Sequence, residues 1–272
     1  DCSQFKSSKG TKDCKTRVEN MNKIIRNVDS FTRSNNVKLA EDELAKAEKA
    51  ADPAAKRAAY ASAIGFFEAA LQQDPKLNGV RFDLANTHFA TAESFAAENN
   101  KSEANTSYIK AAEIFTTLAD NDSVEAETKN LALYNGASAL YSAEEFAKAS
   151  PLFRRYIDVA PREVAPWRLA GSCIIENRAE AIGYLSMGNA LSDKAVTTPV
   201  DESVGTVRNL YAASAAAKAL AELGNPEEVR TFTDEKNGGQ VVTTWIWWSK
   251  GQARHYLNGD ELGKVSFRAA AG

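Results

Sequence analysis

Apolar residues recur at helical spacing through most of the first 230 residues of the chain. Near the start, Val18, Met21, Ile24, Ile25 and Val28 lie three or four positions apart and form one apolar stripe, which predicts an amphipathic helix from Thr16. A second helix continues through Leu39, Leu44 and Ala47 and ends near Asp52-Pro53. The pattern therefore predicts an irregular segment over residues 1–15 and helices over residues 16–230.

The period changes from helical to two after Gly238-Gly239. Residues 241–248, 252–257 and 262–267 read as three strands. The first two are joined by a turn at residues 249–251, and the last two by the hairpin sequence Asn258-Gly259-Asp260. The sequence predicts a small antiparallel meander over residues 238–268, preceded by a linker at residues 192–202 and a helix over residues 203–223.

The first predicted strand contains three of the four tryptophans of the chain and is apolar or β-branched on both faces. In one interpretation, one face packs on the preceding helix through Val207, Leu210, Tyr211 and Leu220 while Trp248 lies under the following strand. In the other, the strand contacts another molecule, because aromatic side chains are frequent anchors of protein interfaces. The second interpretation predicts an interface made of Trp245, Trp247, Trp248 and Tyr256.

A spaced motif recurs within the helical part. Residues 63–75 have the form A-x3-F-x2-A-x4-P, and residues 149–161 have the form A-x3-F-x2-Y-x4-P. Between them, Ala111, Phe115 and Leu118 keep the same spacing. After the second motif, Trp167 opens the sequence W-x2-A-G-x2-I, and residues 81–88 occupy the corresponding positions after the first motif.

These motifs resemble the tetratricopeptide-repeat family, whose unit is a helix–turn–helix of about 34 residues. The resemblance covers residues 54–192 and departs in spacing, because Phe67 and Phe115 are 48 residues apart and Phe115 and Phe153 are 38 apart. The longer interval predicts an insertion, either about two to four helical turns or a loop, around residues 98–102. The resemblance implies a mainly α fold, a right-handed α-solenoid of helix pairs with the β meander at its C-terminal end. It also implies a protein that acts through protein–protein contacts.

Charge and hydropathy limit the classes of partner. The chain carries 33 basic and 36 acidic side chains, a net charge of −3, and they are interspersed along the sequence. A nucleic-acid partner is therefore not expected. Without an apolar run of about 20 residues, the chain is not expected to span a membrane.

The cysteines indicate an oxidising compartment. The chain begins Asp1-Cys2 rather than with Met, which suggests a processed, exported protein; a trimmed chain is the alternative explanation. Cys2 and Cys14 lie in a polar segment and are predicted to form a disulfide. Cys173, in an apolar run, is expected to be a small buried residue. The predicted location is the periplasm, the cell surface or the extracellular space.

Catalytic, cofactor and metal motifs are not found. None of the common nucleophile, phosphate-binding, dinucleotide or zinc-protease signatures occurs. His88 is expected to be packed between helices and His255 to make a cross-strand contact at the surface. We therefore expect a protein that is not an enzyme, with no cofactor and no metal site. Three N-x-[ST] sequons at Asn100, Asn105 and Asn121 are candidate glycosylation sites.

Three functions follow from these patterns. The first is a structural subunit that assembles head to tail with copies of itself, as a filament or ring, through its two chain ends. The second is a monomeric periplasmic or cell-surface adaptor that binds a peptide or protein in the concave groove of the solenoid. The third, an enzyme subunit or regulatory domain, has no residue in its favour.

Overall fold

The structure, a computed structural model, describes residues 8–235 and 238–269 of the chain. The chain divides into two compact units, Asp1–Ile114 and Phe115–Gly272. The helices are α1 Ser8–Lys49, α2 Pro53–Gln73, α3 Asn78–Ala97, α4 Lys101–Ala119, α5 Ala126–Ser142, α6 Phe146–Ile157, α7 Val164–Cys173, α8 Arg178–Ala190, α9 Val200–Leu210 and α10 Ala215–Leu223. The strands are β1 Val196–Thr197, β2 Glu228–Asp234, β3 Gln240–Trp247, β4 Gln252–Leu257 and β5 Asp260–Ser266.

The first unit begins with α1, a single helix of 42 residues. The sequence predicted an irregular segment to residue 15 and two separate helices afterwards, and both predictions are wrong for the described residues 8–49. No glycine or proline occurs between residues 11 and 52, so nothing interrupts the helix. Asp52 then begins α2 by accepting a hydrogen bond from the Ala55 amide at 2.9 Å, ahead of Pro53 in the first turn.

The two halves of α1 have different surroundings. Its C-terminal half packs on α2 through Ala40, Leu44 and Ala47, which contact Ala63, Phe67, Ala59 and Tyr60 of α2. The ion pair between Arg33 and Asp74, at 3.1 Å, lies where α2 ends. At about 1.5 Å per residue, α1 is roughly 63 Å long and α2 roughly 31 Å long. The N-terminal half of α1 therefore continues past the end of α2.

The repeated aromatic positions all lie in the interior. Phe67 on α2, Phe115 on α4 and Phe153 on α6 are fully buried, and so is Trp167 on α7. No loop is inserted around residues 98–102, because only residues 98–100 separate α3 from α4, and the extra residues form helical turns instead. The longer spacing comes from longer helices: α3 and α4 have 20 and 19 residues, whereas α5 and α6 have 17 and 12.

Sequential helices pack on each other within each unit: α1 on α2 and α2 on α3 in the first, and α5 to α8 in sequence in the second. The second unit then ends in an antiparallel sheet of five strands in chain order. The expected fold class, mainly α with a C-terminal antiparallel meander, is confirmed.

Three of the five strands lie where the sequence predicted them, and two were missed. The short β1 falls inside the predicted linker and pairs with β2, which pairs with β3 from Glu228↔Ile246 to Asp234↔Gln240. At the predicted hairpin, Asn258 and Gly259 both have positive φ, 50° and 89°, as a two-residue hairpin turn requires. Trp248 lies in a short 3₁₀ turn after β3 rather than in the strand.

Helices cover both faces of the sheet. On one face, Val229, Trp245, Trp247 and Tyr256 pack on α9 and α10. On the other, α8 contacts four of the five strands. Gly183 permits the close approach of α8, because a Cβ there would lie 2.6 Å from the carbonyl oxygen of Lys264 on β5.

Candidate interaction surfaces

The tryptophans of β3 belong to the core of the second unit. Trp245, Trp247, Trp248 and Tyr256 are all at most 5% exposed. Trp245 and Trp247 pack edge to face at 6.1 Å, and Trp245 and Tyr256 at 5.2 Å. These four side chains therefore do not form the exposed interface that was predicted: α9 and α10 pack on Trp245, Trp247 and Tyr256, and Phe267 packs on Trp248.

Each buried indole N–H has a partner in the same unit. Trp245 donates to the Ser203 hydroxyl at 2.8 Å and Trp247 to the Gly224 carbonyl at 3.1 Å. Trp248 donates to a Glu228 carboxylate oxygen at 2.8 Å, packs on Phe267, and lies 4.1 Å from the Arg162 guanidinium. Since buried polar groups without partners are costly, these bonds indicate a stable intramolecular arrangement. Of the residues expected to cover the strand, Val207, Tyr211 and Leu220 do so, while Leu210 is exposed.

A cleft of about 250 Å³ opens beside this core, between α9 and the sheet. Val207, Trp245 and Tyr256 contribute to its apolar lining, and Thr198, Ser203, Thr206, Thr231 and Thr243 contribute hydroxyl groups. Among the described residues that line it, Glu202 is the only one with a formal charge at neutral pH. The cleft is thus apolar at its base, with neutral hydroxyls and one carboxylate around it.

Among the described residues of the first unit, the large exposed hydrophobic side chains all lie on the N-terminal half of α1. Residues 15–32 are all exposed, and six of them form what we call the α1 stripe. Its members are 47% to 75% exposed: Val18, Met21, Ile24, Ile25, Val28 and Phe31. At about 100° per residue they span roughly 140° of the helix surface, rotated by roughly 100–120° from the Ala40 contact with α2. The stripe is therefore not a continuation of the packed seam.

The charge around the α1 stripe differs from the rest of the chain. Residues 8–33 carry seven basic and three acidic side chains, whereas all the other residues together carry 26 basic and 33 acidic side chains. A net charge of +4 thus accompanies the stripe, against −7 elsewhere. The sequence pattern predicted five members of the stripe as one helix face but missed Phe31. The charge was considered only for the whole chain, so the local excess of basic side chains was missed as well.

The two histidines are both buried and neutral. Burial, with the nearby Lys110 charge, lowers the pKa of His88 to about 4, in agreement with a packed histidine. His255 is not at the surface as predicted: it is fully buried on the face that α8 covers, and its Nδ1 lies 2.9 Å from the Thr244 hydroxyl. Burial lowers the pKa of His255 to about 3, although a hydrogen bond with the Gly183 backbone acts in the opposite direction.

The cysteines and the three sequon asparagines differ in how far they are exposed and in whether the structure describes them. Cys2 lies outside the described residues, so its disulfide with Cys14 stays a prediction. Cys173 is a free, partly buried thiol whose pKa burial raises to about 11. Asn100 is exposed just before α4, whereas Asn105 and Asn121 are partly buried. Glycosylation of these three sites also stays a prediction.

In residues 8–235 and 238–269, no group of three or more His, Cys, Asp or Glu side chains is placed to hold a metal ion. Within the same ranges, no helix combines the length and apolarity that crossing a membrane requires.

Comparison with known proteins places this chain in no established family. No protein-family model matches it, and no curated protein matches it either. Among solved structures, the crystal structure of MamA is similar over 60% of this chain and 93% of that one, at 15% identity and a TM-score of 0.28. BtubC (BKLC) from P. vanneervenii is similar over 63% and 72%, at 16% identity and a TM-score of 0.29. TM-scores this low support no inference about fold or function.

Proposed function

We propose that this protein is a non-catalytic structural subunit that assembles with copies of itself through the α1 stripe. The observation that carries the proposal is the exposure of six large apolar side chains along one face of a helix whose residues 15–32 are all exposed. Contiguous apolar patches of several hundred Å² are uncommon on monomeric proteins and mark interaction surfaces.

A second copy of the chain is the partner that the charges favour. The basic segment around the stripe is attracted to the acidic remainder of another copy. Two α1 segments, each with a net charge of +4, instead repel each other. The contact is therefore expected to join different surfaces on the two copies, and such heterologous contacts produce rings or open filaments.

The size of the stripe sets the expected affinity. Fully burying one large aliphatic side chain contributes about 1.5–3 kcal/mol, so burying six that are roughly half exposed contributes on the order of 5–10 kcal/mol. Association itself costs about 4–15 kcal/mol. Assembly is therefore expected to depend on concentration and to need further contacts beside the stripe.

A membrane surface is the other partner to which a basic amphipathic helix is suited. The composition of the stripe favours protein, because it consists mainly of Val, Ile and Met, which is typical of packed helix seams. Residues 8–33 contain no Trp, Tyr or Leu, and Asn20, Asn22 and Asn27 interrupt the charged side of the helix.

The proposal extends to the compartment and to the absence of catalysis. An oxidising location is supported by the Cys2 and Cys14 pair in a polar segment, and counting free thiols before and after reduction tests it. The non-catalytic role is supported by the state of the two histidines: both are buried and neutral, and neither is available at a surface as a general acid or base.

Sedimentation velocity over a range of concentrations, with electron microscopy of the same samples, tests the assembly. The wild-type chain should form rings or filaments, and Met21→Glu with Ile25→Glu should be monomeric throughout. Lys23→Glu, on the same helix but outside the stripe, is the matched control for an introduced carboxylate and should weaken assembly only slightly. A wild-type chain that is monomeric at every concentration, or that binds anionic vesicles through α1, contradicts the proposal and favours an adaptor or a membrane-surface protein respectively.

A further inference from the structure

We infer that the cleft between α9 and the sheet receives the α1 stripe of a second copy. This inference rests on the proposed function and names the opposite half of the contact. It requires a surface that is concave, apolar, acidic rather than basic, and exposed in the unassembled chain. The cleft meets each of these requirements.

The shape of the cleft fits inserted side chains. Its volume of about 250 Å³ lies below the roughly 300–1,000 Å³ of typical small-molecule sites. One or two apolar side chains from a helix fill a space of that size. Phe31, the most exposed member of the α1 stripe at 75%, and the neighbouring Val28 are the side chains best placed to enter together, since they lie one turn apart on one face.

The rim of the cleft extends the apolar surface. Val241, at the start of β3, lines the cleft and is 58% exposed. Val196 on β1 pairs with Thr231 of β2, which also lines the cleft, and is itself exposed. Two exposed valines on one sheet face beside a concavity provide contacts for the rest of the α1 stripe.

The charges around the cleft are complementary to α1. Glu202 lines the cleft, and the exposed Asp201 precedes it in the first turn of α9. No basic side chain is among the described lining residues. The α1 segment, in contrast, carries Arg17 within the arc of the stripe and a net charge of +4 over residues 8–33. Opposite charges around an apolar centre set the orientation of docking and make it sensitive to salt.

A complementation experiment with full-length chains tests the inference. One chain carries Met21→Glu with Ile25→Glu, which removes the stripe and leaves the cleft intact. The other carries Thr206→Trp, which places an indole in the cleft from an exposed position on α9 and leaves the stripe intact. Each chain alone should be monomeric. An equimolar mixture should form a 1:1 dimer and nothing larger, because it contains one intact stripe paired with one intact cleft.

Two further variants keep the result interpretable. Ala221→Trp, at an exposed position of α10 outside the cleft lining, controls for the added indole and should assemble like wild type. Val241→Arg blocks the cleft from the sheet side and should lower the association constant by about tenfold or more, whether or not the Thr206→Trp chain folds. Thermal melts of every variant check the fold.

The outcomes separate the two proposals. A wild-type chain that never assembles overturns both. Assembly that is lost in the stripe variant but retained with Thr206→Trp and Val241→Arg supports the proposed function and overturns the assignment of the cleft. A mixture that stays monomeric while wild type assembles also overturns the cleft. A capped 1:1 dimer that dissociates as salt is raised supports the inference.

Discussion

The α1 stripe and the tryptophan strand β3 both bring several large apolar side chains together over a short stretch of sequence, but only those of β3 are buried. Helices cover β3 on both faces: α9 and α10 on one and α8 on the other. The α1 stripe stays 47% to 75% exposed. An apolar pattern shows that a face gains free energy on burial, but it does not show whether the same chain supplies the cover.

The difference comes from where the chain returns. Around β3 the chain folds back repeatedly: α8, α9, α10 and β2 come before the strand and β4 follows it, all of them pack against it, and only its first residues stay exposed. After α1 the chain also turns back at once, but α2 is half as long as α1. The extra turns of α1 are therefore not covered by α2, and their apolar side chains stay exposed.

Replacing a fully buried tryptophan of β3 should produce the largest effect. Trp247→Ala removes a fully buried indole and its bond to Gly224, and should lower the free energy of unfolding by about 3–5 kcal/mol. Denaturant titration measures the loss. Val241→Ala, at an exposed position of the same strand, is the control and should stay within about 0.5 kcal/mol of wild type. Equal losses in the two variants would contradict the distinction between core and surface.

Acidification should destabilise the sheet side of the molecule by an intermediate amount. His255 has a folded pKa of about 3, below its ordinary value of 6.5, so between these values the unfolded chain binds more protons than the folded one. Stability is therefore complete above about pH 6.5 and falls as the pH is lowered, by about 2 kcal/mol at about pH 5.

Unfolding titrations at several pH values check this slope. His255→Gln should remove its own share of the slope and leave the share of His88, whose pKa of about 4 acts in the same direction and gives a loss of similar size at about pH 5. A slope that is unchanged in His255→Gln would show that His255 is accessible to protons in the folded state.

The smallest effect on stability is expected at the α1 stripe. Met21→Glu with Ile25→Glu changes exposed positions, and should alter the free energy of unfolding of the monomer by less than about 0.5 kcal/mol per site. The same variant is expected to lose assembly, so stability and association respond in opposite ways at the two apolar regions. A loss of several kcal/mol in dilute monomer would mean that the stripe is packed within its own chain.

Much of the fold is readable from local patterns. The buried phenylalanines 67, 115 and 153 recur at fixed positions within helices, and a groove between packed helices requires large apolar residues at such positions. The Asn258-Gly259 hairpin is equally local, because both residues tolerate the positive φ that the turn imposes. The strand β1 was missed because two residues carry no detectable period. The β2 strand was missed because only Val229 and Phe232 are apolar and buried within it, and they are not two residues apart.

The candidate site was less predictable than the fold. The tryptophans were assigned to an interface because they are aromatic and occur together, yet hydrogen bonds from their indole nitrogens to Ser203, Gly224 and Glu228 place them inside the second unit. These partners are 20 to 42 residues away along the chain, and no local pattern indicates them. The cleft beside α9 combines residues from helices, strands and a hairpin turn, so it has no sequence motif at all.

The sequence by itself determined the type of each long element, the phase of the repeated aromatic positions and the existence of an apolar face on α1, because these depend on spacing over a few residues and on backbone preferences. Only the tertiary structure decided which apolar faces are covered. That outcome depends on the relative lengths of α1 and α2 and on the return of α8, α9 and α10 to the two faces of the sheet. A side chain is buried by a segment that is distant along the chain. The hydrophobic free energy of that burial is gained only when both segments are in place.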